Sequence, residues 1–357
     1  MSELPQFMTN VDGSLSAPTN SLEVLRGLHS YLEQRIIGQP EVLPSLVELI
    51  QNGELGLTDP RRPRASFLFL GPTGVGKTEV TLNFSDYIFG EDRVARFDMS
   101  EYQLQSSVEK IIGASRDDGG LFEMEYDRIG GEGTILFDEI EKGHPRVIDL
   151  FLQILDAGRI TLASGRTLDL SKTYVVATSN IGAQALMSQR RTTRATLVRF
   201  VESQAQLELR PEIFARMDQV CVFNRLTYDD QRKIAQIMIQ GEIGRQAKQN
   251  GLKLEYSSEL VQICMSQGFH PKLGARPMRG AVERNIRAAI RENLLAGGSG
   301  SGHLVSYTDE GVVRLESKAR SPENGATPST SSGQTPNGTN YDVAPPVVPL
   351  PPVHRQI

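Results

Sequence analysis

Eight consecutive residues, Gly71-Pro72-Thr73-Gly74-Val75-Gly76-Lys77-Thr78, follow the pattern G-x-x-x-x-G-K-[ST]. Glycines allow the backbone to wrap closely around a phosphate with its N–H groups pointing inward. A helix that starts at the end of the loop adds its positive N-terminal pole. Lysine at the seventh position reaches the β- and γ-phosphates of a nucleotide, and the hydroxyl beside it is a magnesium ligand. The flanks fit this reading, because the apolar run Phe67-Leu68-Phe69-Leu70 leads straight into the loop and the residues from Glu79 onward read as a helix. A chance glycine-rich turn seldom has both. The loop therefore predicts ATP with Mg2+ as the bound species, held by Gly71, Pro72, Thr73, Gly74, Val75, Gly76, Lys77 and Thr78, and ATP hydrolysis as the reaction.

A second apolar run, Thr134-Ile135-Leu136-Phe137, ends in Asp138-Glu139. In enzymes with such a loop, an acid at the end of a neighbouring strand holds the magnesium shell, and a second acid beside it orients or deprotonates the attacking water. Alone, the pair is usually a solvated strand end. Downstream of the loop, after a strand filled with apolar residues, it marks Asp138 as the metal acid and Glu139 as the general base. A third run, residues 173–178, ends in Ser179-Asn180. Asn180 reads either as a turn residue or as an amide that contacts the γ-phosphate or the attacking water.

These groups need a scaffold that brings strand ends together. Short apolar strands at 67–70, 94–98, 134–137, 174–178 and 220–223 alternate with helical stretches, which implies crossover connections and a largely parallel sheet covered on both faces. An amphipathic helix starts at Ser21, on the spacing of Leu22, Val24, Leu25, Leu28 and Leu32. The expected organisation is a loose arm over residues 1–20, a large α/β domain over 21–226 and a smaller, mostly helical domain over 227–317. That smaller domain has helices at 229–250, 257–267 and 274–295, a Gly/Ser hinge at 297–302 and a terminal hairpin of 304–307 with 312–315. Residues 318–357 are low in complexity and proline-rich near the end, which predicts a disordered tail. Pro346-x-x-Pro349 has the form of a docking ligand, although a solvated tail is the simpler reading.

The 357 residues suffice for one large domain or two modest ones, with 39% hydrophobic residues and 23% charged. A net charge of -5 argues against a bulk nucleic-acid binder. No apolar run reaches membrane-spanning length, and Met1 to Asn10 lack a signal pattern, so a cytoplasmic location is expected. Cys221 and Cys264 read as reduced and buried, and the five histidines show no metal-ligand spacing. Two basic clusters, Arg61 with Arg62 and Arg64, and residues 189–194, read as solvated loops.

Taken in order, the motifs resemble the C-terminal ATPase module of the class I Clp unfoldases, the AAA+ family that includes ClpA and ClpB. The resemblance is carried by Ile37-Gly38-Gln39, the stretch from Phe67 to Glu79, Asp98-Met99-Ser100-Glu101-Tyr102, the stretch from Ile135 to Lys142, and Gly158-Arg159. It continues through Gly165-Arg166-Thr167, Thr178-Ser179-Asn180-Ile181-Gly182, Arg210-Pro211-Glu212 and Gly274-Ala275-Arg276-Pro277, and covers about residues 34–317. It implies a P-loop AAA+ module with a helical lid. Ile36 and Ile37 would lie against adenine, and Asn180 would be the first sensor. Arg216 would be an arginine finger reaching the neighbouring subunit's γ-phosphate, and Arg276 the second sensor on the lid. The resemblance further implies a homo-oligomeric ring, hexameric by analogy, that acts on protein clients, and it gives His144 a structural role.

Two departures qualify that expectation. Related modules carry a Gly-Tyr-Val-Gly pore loop, whereas Ala114 is followed here by Ser115-Arg116-Asp117-Asp118-Gly119-Gly120, with no aromatic. Arg116, Asp117 and Asp118 would face a channel, and Leu121 and Phe122 would begin a helix. The chain also reads as one module alone, without an Ile-Gly-Phe or Ile-Gly-Leu tripeptide between Ile181 and Arg210, so no ClpP-type protease partner is expected. The expected function is an ATP-driven ring that remodels a specific protein complex. The alternative is an ATP-switched oligomeric scaffold with slow hydrolysis.

Overall fold

Six consecutive apolar side chains with no polar alternation make a strand that must be covered on both faces. The run Ala-Ser-Phe-Leu-Phe-Leu comes close to that, and in the computed structural model every residue of β1 (Ala65–Leu70) is buried. Phe67 and Phe69 enter one hydrophobic core, and Leu68 and Leu70 enter another on the opposite face. The structure describes residues 19–188, 193–270, 273–307 and 312–316. The arm up to residue 18, the tail from 317 and the proline motif lie outside these.

Parallel partners of β1 are β6 (Thr173–Ser179) on one side and β7 (Gln219–Val222) on the other. Beyond β6 follow β3 (Gly133–Asp138) and β2 (Val94–Asp98), which gives the order β2-β3-β6-β1-β7. All five expected strands are present. Helices Thr19–Arg35, Leu43–Glu54 and Lys77–Phe89 cover one face, with Leu28, Leu32 and Phe84 fully buried. Pro145–Ala157 and Arg194–Glu208 cover the other, with Phe151 and Val201 buried. A small hairpin, β4 (Arg159–Thr161) with β5 (Thr167–Asp169), projects between them in sequence and has no periodic signature.

The C-terminal part contains helices Tyr228–Asn250, Ser258–Gly268 and Met278–Leu295. The last starts four residues later than expected. Gly274 sits at φ +58 and forms a β-bridge with His270, and Pro277 disfavours helical geometry at Arg276. The hairpin is β9 (Gly302–Tyr307) with β10 (Val312–Glu316), and a short unexpected strand, β8 (Leu254–Tyr256), adds in parallel to β9. Three residues are too few for a period to register.

Several smaller expectations meet specific geometry. His144 caps helix Pro145–Ala157, its Nδ1 accepting from the Arg146 N–H. Both cysteines are free and buried, and burial pushes each thiol up to about 12. Residues 113–120 close as a tight turn in which the Asp118 carboxylate accepts from the N–H groups of Ala114 (3.1 Å) and Gly120 (2.9 Å). Asp118 is exposed, but its charge is engaged by its own loop. Helix Gly120–Arg128 follows with Phe122 buried, as its sequence implied.

The basic cluster before β1 is not a solvated loop. Arg61 pairs with exposed Asp59, but Arg64 bonds Glu54 (2.7 Å) and Glu132 (2.6 Å) in a half-buried network that also holds Tyr174. Arg62 is bound to two backbone carbonyls. Of the second cluster, Arg194 bonds Asn224 and the Val222 carbonyl, and residues 189–192 lie outside the described part. No described helix is long and apolar enough to cross a membrane, and no described cluster of His, Cys, Asp or Glu has metal-site geometry.

Candidate functional site

In an open parallel sheet the crevice forms beyond the carboxyl ends of the strands. Here the three adjacent strands β3, β6 and β1 end in Asp138, in Ser179 followed by Asn180, and in Leu70 followed by Gly71. The register aligns Leu70 with Ser179 and Phe137 with Ala177, so these ends lie side by side. The loop after β1 runs into helix Lys77–Phe89, whose first N–H groups lack intrahelical partners. Gly76 has φ +110, and a Cβ there would meet nothing within 4 Å, so the backbone borders open space.

Asn180 joins the loop to the acids. Its Oδ1 accepts from Lys77 Nζ at 2.9 Å, its Nδ2 donates to Glu139 Oε1 at 3.0 Å, and its N–H donates to Glu141 Oε1 at 3.1 Å. The Lys77 ammonium also donates to the carbonyls of Gly71 and Pro72. Burial pulls this ammonium from 10.5 down to about 8, against the opposing pull of Glu141, Asp138 and Glu139. Asp138 accepts from the Thr178 hydroxyl and from Arg96. Glu139 stands in the left-handed region (φ 56, ψ 52), a costly conformation for a side-chain-bearing residue and one that turns it off the strand axis. Its second carboxylate oxygen accepts from Lys142, whose ammonium is held above its usual range chiefly by that bond.

Apolar groups and further charged ones, among them Arg35, Glu242, Arg245, Arg279 and Glu283, line the rest of this site. Ile36, Ile37, Leu226, Ile234, Ile237, Met238 and Val282 line the same cavity of about 660 Å³, together with Thr73 through Thr78, Asp138, Glu139, Asn180 and Arg276. Fully buried Gln39 fixes the Ile36–Ile37 turn: its amide donates to the carbonyls of Val75 (3.2 Å) and Asn224 (3.0 Å) and accepts from Asn224 N–H (2.7 Å). The turn before helix Met278–Leu295 rests on the loop, with Ala275 N–H donating to Gly74 O at 3.2 Å. The loop and that turn each need a glycine where they meet, at Gly74 and Gly274. A Cβ on Gly74 would lie 2.1 Å from Leu273 O, and one on Gly274 would lie 2.7 Å from Thr73 O.

Every expected site residue therefore lines one cavity except Gly71 and Pro72, whose carbonyls meet the Lys77 ammonium, and Arg216. That arginine stands outside it at the end of helix Pro211–Arg216, paired with Asp156 at 2.6 Å. Arg276 is exposed and makes no side-chain hydrogen bond or ion pair among the described residues. Sequence reasoning missed Arg96, Lys142, Glu141 and the helix face of Ile234, Ile237 and Met238. Arg96 had a signal, being the one basic residue in β2 and separated by a single residue from Asp98. The helix face had none, because the mean pattern of Tyr228–Asn250 is polar.

Residues 62–220 match the family model "AAA domain (Cdc48 subfamily)", and residues 226–326 match "C-terminal, D2-small domain, of ClpB protein". The chain is 39% identical to an "ATP-dependent Clp protease ATP-binding subunit ClpA homolog" of Pyropia yezoensis, over 82% of this chain and 38% of that protein. It is 37% identical to a "Probable chaperone protein ClpB 1" of Chlorobaculum tepidum, over 79% of this chain and 67% of that one. Among solved structures, the S. cerevisiae Hsp104-ADP complex superposes with a TM-score of 0.75 at 29% identity, covering 84% of this chain and 53% of the yeast chain. Hsp104 with ATPγS and FITC casein gives 0.74 at 28% identity. The chain thus spans well under half the length of the Pyropia relative.

Proposed function

The chain belongs to the Clp/ClpB family of AAA+ ATPases, and from that premise we propose that it binds ATP with magnesium in this cavity, hydrolyses it and uses the cycle to remodel a protein client. The observation that carries this reading is the meeting of Lys77, Asp138, Glu139 and Asn180 at three adjacent strand ends, in a cavity that Ile36 and Ile37 also line. The residues present fit the ligand: open space beside Gly76 and free first-turn N–H groups suit phosphates, and the Ile36–Ile37 side suits a flat base. The same reading divides the chain into an arm (1–20), a nucleotide-binding domain (21–226), a lid (227–317) and a tail (318–357).

Thr78 and Asp138 would hold magnesium, which when bound neutralises charge on the phosphoryl oxygens. Lys77 would exchange the Gly71 and Pro72 carbonyls for phosphate oxygens. Glu139 takes the proton of the attacking water, and the Asn180 amide aims it. Lys142 and Asn180 each bond one Glu139 oxygen, which holds the carboxylate in place and leaves a lone pair on each oxygen for the water. Arg276 from the lid and Arg216 from a neighbouring subunit would stabilise the transferring phosphoryl group, which places the sites at the seams of a homo-oligomeric, hexameric ring. A polypeptide client is supported by the structural likeness to Hsp104 with FITC casein. The turn at 113–120 offers no aromatic to grip such a client, which favours a dedicated one over general threading.

Steady-state phosphate release checks the enzyme reading. Glu139→Gln should lower kcat by about 10²-fold or more while ATP still binds; undiminished turnover would sink the assignment. With ATP, the same variant should retain one or two clients that Lys77→Ala does not. A broad set of unrelated proteins would instead mean general unfolding.

A further inference from the structure

Arg62 is partly exposed, yet all three faces of its guanidinium are engaged. Nε donates to the Leu155 carbonyl at 3.0 Å, Nη2 donates to the Arg216 carbonyl at 2.7 Å, and Nη1 lies 3.8 Å from Asp218 Oδ1. Leu155 and Arg216 both belong to the last turns of helices, where carbonyls lack intrahelical donors and carry the negative end of the helix dipole. One planar cation thus ties the ends of Pro145–Ala157 and Pro211–Arg216 together. Segment 61–62 sits tightly there, since a Cβ on Gly158 would lie 2.5 Å from Arg61 O.

The network continues to the sheet. Asp218 Oδ2 accepts from Ser66 N–H (2.8 Å) and from Ser66 Oγ (2.7 Å), and Asp218 N–H donates back to Ser66 Oγ (3.0 Å). Ser66 is the second residue of β1, and β1 leads directly into the loop at Gly71. The Arg216 side chain is held from the other direction, by Asp156 and by the Glu212 carbonyl at 3.1 Å.

We infer that Arg62 is a positioning residue for Arg216: it anchors the turn that presents the finger to the base of its own subunit's β1, coupling the finger of one site to the strand that carries the next site's phosphate loop. The inference rests on the trans role proposed for Arg216. Lysine replaces the guanidinium only in part: its ammonium keeps the charge, but its single nitrogen does not reproduce the planar fork whose separate nitrogens meet the Leu155 carbonyl, the Arg216 carbonyl and Asp218.

The test compares ATPase kinetics of the full chain with Arg62→Ala, Arg62→Lys, Arg216→Ala and the Arg62→Ala/Arg216→Ala double variant. Binding of a fluorescent ADP reports each subunit's own site. Arg216→Ala should cost about 10³-fold in kcat. Arg62→Ala should cost about 10²-fold, the scale of a misplaced catalytic group, with ADP affinity and KM within about twofold. Arg62→Lys should fall between, and it carries the test should Arg62→Ala not fold. The double variant should be no slower than Arg216→Ala alone, because a positioning residue has nothing left to position. Wild-type kcat in the Arg62 variants beside a crippled Arg216→Ala overturns the inference alone. So does an additive double variant, or a parallel loss of ADP affinity. Wild-type kcat in Arg216→Ala removes the trans role, and the inference with it.

Discussion

Lys77 and Asn180 show how side chains of ordinary type acquire specialised behaviour from placement. Lys77 is almost fully buried, and its ammonium is satisfied by two loop carbonyls and the Asn180 amide oxygen. Burial lowers its pKa to about 8, so near that pH about half of the molecules carry a neutral lysine. A triphosphate favours the charged form. Binding of a non-hydrolysable ATP analogue should therefore take up about half a proton at about pH 8 and far less at about pH 7. Calorimetry in buffers of different ionisation enthalpy measures this, and equal uptake at both values would contradict the assignment. Glu139 is the companion case: its left-handed backbone, cross-linked to Thr178 through its own N–H at 3.1 Å, aims a carboxylate that a regular strand would have pointed elsewhere.

At the level of elements, loops carry the chemistry and strands hold them in register. The turn at 113–120 illustrates how completely a loop can be specified by one side chain. The N–H groups of Ala114 and Gly120 hold the Asp118 carboxyl below its usual 3.8. A lowered folded-state pKa means that the clamp is fully present above 3.8 and is lost as pH falls through the lower folded value. At neutral pH, Asp118→Asn keeps the shape but retains a single acceptor oxygen, so one of the two bonds is lost, with an NH2 group set against an N–H, and the other loses its charge assistance. Amide exchange over 113–120 should quicken by about three- to tenfold in that variant, with β1 and β6 unchanged. Unaltered exchange would mean that the turn is held by something else. The same logic explains why Met278–Leu295 begins late: backbone contact between Gly74 and Gly274 outweighs the helical pattern that runs up to it.

For the whole molecule, the decisive feature is a cavity built from segments far apart in the chain: Ile36 and Ile37 before the sheet, Asp138, Glu139 and Asn180 at the strand ends, and Ile234, Ile237, Met238 and Arg276 from the C-terminal part. Arg216 lies outside its own cavity, paired with Asp156, and the finger role proposed for it requires a second copy that brings another cavity to it. Glu139→Gln with ATP should therefore assemble into particles of about six times the monomer mass in analytical ultracentrifugation. Arg216→Ala should assemble less well, and a monomer under saturating ATP would exclude the ring. The modest net charge of -5 leaves such assembly unopposed by strong mutual repulsion.

Local chemistry and period were legible in the chain. The strand-loop-helix around Lys77 and the acid pair after an apolar strand each reside in one short stretch, and the five-strand alternation is a series of such stretches, where side-chain type and backbone preference act directly. Tertiary structure decided what depends on groups far apart in sequence. That Arg62 grips Arg216 instead of facing solvent requires a helix end 93 residues away and another 154 away to converge on it. Arg96 meets Asp138 only because β2 and β3 pair in one register, and Gly74 and Gly274 become indispensable only once the lid lies on the loop. Such contacts follow from packing geometry, which no local pattern records: the residue types are visible in the chain, but their partners are chosen by the fold.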